Sequence, residues 1–141
     1  MSVQAVLLPL FVEVALTFAL LILMAQARGL ALRRSEVHPR AIALREPNWP
    51  KQATQYANAF SNQFELPVLF YVLTVLAWVL RHADLVFVVM AWLFVLLRVA
   101  HAYVHVTSNR VEQRGSLFGA GAVVLLLMWL IFAVRILLGL S

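Results

Sequence analysis

The chain has 141 residues, is 64% hydrophobic and 12% charged, and has a mean hydropathy of +0.91. A typical soluble domain is about 45–50% apolar and about 25% charged, so composition excludes both a soluble globular domain and a disordered chain. The absence of cysteine removes disulfide scaffolds, thiol nucleophiles and cysteine–metal sites, and the net charge of +5 has to be read from where the basic residues fall.

A membrane-crossing helix needs about 20 mostly apolar residues. The first candidate span covers residues 3–27, where Glu13 is the one charged residue. Ala25-Gln26-Ala27 looks like a small-residue cleavage site. However, Met1-Ser2-Val3-Gln4 carries no positive charge and the apolar stretch is too long, so a retained span is expected.

The stretch that follows holds six of the eleven basic residues: Arg28, Arg33, Arg34, Arg40, Arg45 and Lys51. Basic residues beside a span face anionic lipid on the cytoplasmic side, so they do not form the open basic face of a nucleic-acid binder. Pro39, Pro47 and Pro50 make a continuous helix here implausible, and Trp49 suits the headgroup zone.

The second span is expected as one helix over residues 52–80, although its apolar part begins only at Leu66. At about 1.5 Å per residue it would be roughly 44 Å long, with its first half projecting from the bilayer or lining a polar cavity. Pro67 would kink it. The third span covers residues 84–107 and contains Arg98; the fourth covers 116–140 and contains Arg135. Sustained two-residue alternation is absent, which argues against a barrel. The expected fold class is therefore all-α: a single four-transmembrane-helix domain over residues 1–141, integral to the membrane.

Eight basic residues in the first and third loops oppose Arg81 in the second. The positive-inside rule then places loops one and three in the cytoplasm and both termini outside, which in a bacterium means the inner membrane facing the periplasm.

Ionisable groups inside spans are functional candidates by default. Asn58, Asn62 and Glu65 lie at i, i+4 and i+7 on the second helix, with Lys51 and Gln55 continuing that face. Arg98, His101 and His105 lie at i, i+3 and i+7 on the third. Both stripes fall in the same half of the bilayer. The expected pairing is Glu65 with Arg98, with Asn62 and His101 completing the hydrogen bonds, either as a ligand pocket or as interhelical glue. Glu13 is expected to pair with Arg135, and Gly115, Gly119 and Gly121 to permit close helix packing. His101 and His105 could share a metal ion from one helix face, but no third ligand lies in that segment, so no metal site is expected. Neither a Gly-x-Ser-x-Gly nucleophile elbow nor a phosphate loop is present.

The run Asn62-Gln63-Phe64-Glu65-Leu66-Pro67, followed by Arg98-Val99-Ala100-His101 and by Arg114, resembles the MAPEG family, the membrane-associated proteins in eicosanoid and glutathione metabolism. The resemblance extends to the four-span plan and the loop charges along nearly the whole chain. It implies a homotrimer that binds glutathione between neighbouring subunits in the cytoplasmic half. Asn62 and Glu65 would hold the glutathione backbone and amine, Arg98 would orient Glu65, and His101 would hydrogen-bond the tripeptide, with His105 beside it. Arg33 or Arg34 would meet a carboxylate, and Arg114 would stabilise the thiolate. The sequence departs from the family pattern at Asn58 and Ser61, where glutathione-using members carry arginine. It departs again at His105, where a Tyr is expected, and at Gly115, where some members place a Ser.

The function implied is a glutathione-dependent transferase or peroxidase acting on lipophilic molecules that enter from lipid, with glutathione as cosubstrate. The alternative is a noncatalytic binder of a lipid or amphiphile on the same scaffold. A small proton-coupled efflux transporter shares a glutamate in span one, but the long basic first loop and the polar stripes argue against it.

Overall fold

The computed structural model describes residues 1–140. Five α-helices and one 3-10 turn make up the chain, with no strand among the described residues. Helix α1 runs Val3–Arg33, started by Ser2, whose hydroxyl accepts from the Ala5 N–H at 3.2 Å. It continues six residues past the apolar run and closes at Ser35, which takes φ 55, while the Glu36 N–H donates to the Ala31 carbonyl at 2.9 Å. The first loop holds a single 3-10 turn, Pro39–Ala41, tied down by the Asn48 side chain donating to the Ala41 carbonyl at 2.6 Å. The Arg28 guanidinium lies 4.8 Å from the centre of the Trp49 ring, a cation–π contact that pins the loop to the end of α1.

The expected continuous second helix is broken. Helix α2 spans Lys51–Asn62 and α3 spans Leu66–Val79, with Gln63, Phe64 and Glu65 between them. The cause is Pro67, which lacks an N–H and whose ring would clash with the carbonyl four residues back, that of Gln63. The break is an ordered turn: the N–H groups of Gln63, Phe64 and Glu65 donate to the carbonyls of Phe60, Ser61 and Asn62 at 3.0–3.2 Å. Helix α4, Leu85–Val106, begins at Asp84, whose carboxylate accepts from the Phe87 N–H at 3.0 Å; α5 spans Val111–Leu137.

Counting α2 and α3 as one, four helical segments are long and apolar enough to cross a membrane. Helix α4 sits centrally, packed against α5, α1 and α2, while α3 lies against α1 and α5. The core joins Phe70 of α3 to Phe94 of α4, ring centres 4.9 Å apart, with Val6, Leu73, Val95, Leu125 and Met128 buried around them. Gly121 faces the Phe94 ring, whereas Gly115 and Gly119 meet nothing within the chain, so close packing within one chain is confined to Gly121. The polarity is that of a membrane protein. Phe11, Phe18, Leu96 and Leu126 are exposed while Glu13 and Arg98 are buried.

Glu13 does not meet Arg135. The Arg135 Nη1 lies 2.8 Å from the Asp84 carboxylate at the corner before α4. Arg135 belongs to the last turn of α5, level with the start of α4, whereas Glu13 lies ten residues into α1, about 15 Å deeper at 1.5 Å per residue.

Candidate functional site

The polar residues gather at the end of the bundle that carries the first loop and the α4–α5 turn. The turn between α2 and α3 supplies the first group. Because the helix stops at Asn62, its side chain and that of Gln63 both turn inward and are buried, while Glu65 is exposed. The Asn62 Nδ2 donates to the Glu65 Oε1 at 3.0 Å. Helix α4 supplies the second group. Arg98, His101 and His105 are all buried, as their shared helix face requires.

Arg98 joins the two groups, but not through Glu65. Its Nη2 donates to the Asn62 Oδ1, in a short contact, and more weakly to the Asn62 backbone carbonyl at 3.5 Å. The expected direct Glu65–Arg98 ion pair is replaced by a relay, Glu65 to Asn62 to Arg98. The helix break explains this: it turns Asn62 toward α4 and leaves the following Glu65 on the outer side. On its other side the same Nη2 donates to the Gln63 Oε1 at 3.2 Å, and the Gln63 Nε2 donates to the Glu13 Oε1 at 2.6 Å, in the amide orientation that satisfies both ends. A continuous chain of four side-chain hydrogen bonds thus leads from the exposed Glu65 to the fully buried Glu13 on α1. Gln63 has no assigned role in the sequence pattern, where the one signal for it is a second amide next to Asn62, and Glu13 meets Gln63 in place of the expected Arg135.

His101 and His105 stack edge to face, ring centres 5.6 Å apart, and His101 lies 6.0 Å from the Phe118 ring. His101 takes no hydrogen bond from Asn62 or Arg98, contrary to the expected network, and its Nδ1 is buried without a partner. The Arg114 Nη1 lies 3.1 Å from the His105 Nε2. Arginine can only donate, so this Nε2 accepts and the ring proton resides on Nδ1. Arg114 stands in the first turns of α5, half-buried, where the α4–α5 turn folds it back over the end of α4. Gln55 of α2 closes the group by reaching toward the His105 carbonyl at 3.4 Å.

Arg33 and Arg34 are exposed at the end of α1 and join none of these hydrogen bonds. Asn58 and Ser61 are exposed on α2 and line a cleft of about 500 Å³, whose far wall is Arg28, Glu46 and Trp49. No cluster of three or more His, Cys, Asp or Glu able to hold a metal exists among the described residues. Chemically, the arrangement offers an exposed carboxylate at Glu65 and a half-buried guanidinium at Arg114 with an imidazole beneath it, the two groups linked through the shared helix α4 that carries Arg98 and His105. It suits a small polar ligand with a cationic group and an acidic group, next to lipid-exposed apolar surface.

No curated protein and no solved structure gives a significant match to the chain. The family model described as MAPEG family matches residues 6–134, nearly the whole of the chain, and takes in every element that builds this site. An integral multi-pass membrane protein with this helix order and this match belongs to the MAPEG family.

Proposed function

We propose that this chain is a glutathione-dependent membrane enzyme, a transferase or peroxidase acting on lipophilic substrates. The observation that carries the reading is the presence of both an exposed carboxylate and a half-buried guanidinium at this end of the bundle. Glu65 is exposed and hydrogen-bonded only to Asn62, and Arg114 stands over His105 across the end of α4. These groups offer partners of the right charge to a tripeptide thiol. Glu65 and Asn62 would hold its amine and backbone, and Arg114 would hold the sulfur. Glutathione supplies the nucleophilic thiol when bound. A free thiol has a pKa of about 8.5, and a neighbouring guanidinium favours the anion, so Arg114 would raise the fraction of thiolate at neutral pH. With its Nε2 accepting from Arg114, His105 holds that guanidinium in place. The apolar outer faces of α3 and α5 would give a lipid-dissolved electrophile lateral access.

The same reading includes a homotrimer, with Arg33 or Arg34 of one copy completing the site of its neighbour, since neither reaches the site within one chain. It also places the site at the cytoplasmic end of a bacterial inner membrane protein, because the loops at that end hold eight of the basic residues.

A second reading has its own support. Asn58 and Ser61 are exposed and uncharged on one face of α2, so neither position offers a cation to a ligand carboxylate, and the arginines of their cleft, Arg28 and Arg45, stand on its other walls. A noncatalytic binder of an amphiphile fits that face. Titrating glutathione into the detergent-purified protein while recording thiolate ultraviolet absorbance separates the two. The enzyme reading predicts a saturable thiolate signal that disappears in Arg114→Ala. A flat response, with copurifying lipid detected by mass spectrometry, supports the binder.

A further inference from the structure

A buried charge is tolerated when hydrogen bonds and an opposite charge compensate it, and each is costly to leave unmet. Arg98 is 1% exposed, and its hydrogen-bond partners, Asn62 and Gln63, are both neutral amides. Glu65, the counter-ion the sequence suggests, is exposed and already accepts from Asn62. The one carboxylate without any exposed surface among the described residues is Glu13, and it lies one amide away from Arg98 through Gln63. Glu13, Gln63 and Arg98 come from three different elements, α1, the α2–α3 turn and α4, so their bonds fix how those elements meet.

We infer that Glu13, acting through Gln63, is the counter-charge of Arg98 and a positioning residue for the candidate site. Two consequences follow. The first is geometric. Arg98 held from behind by Gln63 grips both the side chain and the carbonyl of Asn62, the last residue of α2. That grip fixes how the turn enforced by Pro67 sits against α4, and with it the direction in which Glu65 leaves that turn. The second is electrostatic. With Glu13 balancing Arg98, the charge of Glu65 is not used up inside the protein and remains available to a cationic group of the ligand. This second consequence rests on the glutathione reading above, whereas the first does not.

The test uses the full chain in detergent with asparagine-selective ¹⁵N labelling. The sequence has four asparagines, Asn48, Asn58, Asn62 and Asn109, so the side-chain amide pair of Asn62 is assigned by its loss in Asn62→Asp. Three proteins are compared: the unaltered chain, Glu13→Gln, and the exchange variant Glu13→Gln with Gln63→Glu, which returns a carboxylate to the side of Arg98. The inference predicts that Glu13→Gln moves the Asn62 amide signals and leaves those of Asn58 and Asn109 in place, and that the exchange variant restores them. An Asn62 signal unmoved in Glu13→Gln overturns it. If Glu13→Gln does not fold, the exchange variant decides: recovered folding with an unshifted Asn62 supports the counter-charge role, and no recovery refutes it. In parallel, the Kd for glutathione should rise on the order of tenfold in Glu13→Gln and return in the exchange variant, as for members of one hydrogen-bond network. A chain that binds no glutathione but shows the Asn62 response refutes the functional reading and keeps the positioning role. Normal glutathione binding with an unmoved Asn62 does the reverse.

Discussion

Replacing Arg98 by methionine removes the guanidinium while keeping most of the side-chain length. Its Nη2 holds the Asn62 Oδ1, the Asn62 carbonyl and the Gln63 Oε1, so three contacts are lost. Side-chain hydrogen bonds between membrane helices are worth roughly 0.6–2 kcal/mol each, which sums to about 3 kcal/mol for the three. That agrees with the roughly 3–5 kcal/mol cost of removing one partner from a buried pair. For a chain of this size each kcal/mol moves the melting temperature by about 3 °C, so Arg98→Met should melt about 10 °C lower in detergent. Part of this loss is the Glu13 carboxylate left without its opposite charge. Adding Glu13→Leu removes that burden, because an apolar replacement of both partners is often neutral. The double variant should therefore recover at least half of the loss, a non-additive result that two unconnected sites would not give. Melting followed by circular dichroism or by intrinsic tryptophan fluorescence reads both changes. A double variant less stable than Arg98→Met alone would refute the link between Glu13 and Arg98.

Other outcomes follow from the same contacts. Glu65→Gln should lower stability by no more than about 1 kcal/mol, since it alters one part-buried hydrogen bond to Asn62, yet it should weaken glutathione binding in a calorimetric titration. Arg114→Ala should abolish thiol conjugation to an apolar electrophile while leaving the melting temperature within a few degrees; full retained activity would remove Arg114 from the mechanism. Asp84→Ala should cost about 1 kcal/mol by removing the cap of α4, measured as a melting shift, with the Arg135 pair adding little because Asp84 is 45% exposed. The pH dependence of that corner has a definite sign. Burial pushes the Asp84 carboxyl up, but the Phe87 N–H and Arg135 together outweigh it and hold the group below the ordinary aspartate range. A depressed folded value means that the contribution is complete above the unfolded value of about 3.9 and is lost as pH falls through the folded one. The difference in melting temperature between the unaltered chain and Asp84→Asn should accordingly stay constant from pH 8 to pH 5 and shrink only in strong acid.

Much of this molecule is legible from residue order. Four apolar segments, the basic first loop and the i, i+3, i+7 face of Arg98, His101 and His105 follow from period and hydropathy alone, because lipid forces backbone groups into helices and polar side chains inward. The pairing of charges was not legible in the same way. Glu65 and Arg98 have matching depth, and Glu13 and Arg135 are the remaining opposite charges, so both pairings are reasonable by inventory. They fail because Pro67 ends α2 at Asn62, which turns Asn62 and Gln63 into the bundle and Glu65 out of it. A proline-induced kink in a continuous helix and a three-residue break look alike in sequence, yet they send the next side chains in different directions. The depth of Glu13 relative to Arg135, and the availability of Asp84 at the corner, also depend on where the helices begin. Contact between Arg114 and His105 requires the tight α4–α5 turn, whose geometry the residues 107–110 do not announce. Arg33 and Arg34 stay apart from the site within one chain.

The most direct measurement of the central claim is the melting temperature of the detergent-purified chain with and without millimolar glutathione, beside S-methylglutathione and ascorbate. A ligand that binds only the folded state stabilises it by RT ln(1 + [L]/Kd), about 2.7 kcal/mol at a hundredfold excess over Kd. Binding at the Asn62–Glu65–Arg114 site predicts a glutathione-specific rise that is lost in Asn62→Ala and reduced for the S-methyl compound, whose sulfur cannot ionise. An unchanged melting temperature across all additives would contradict a glutathione site at this end of the bundle.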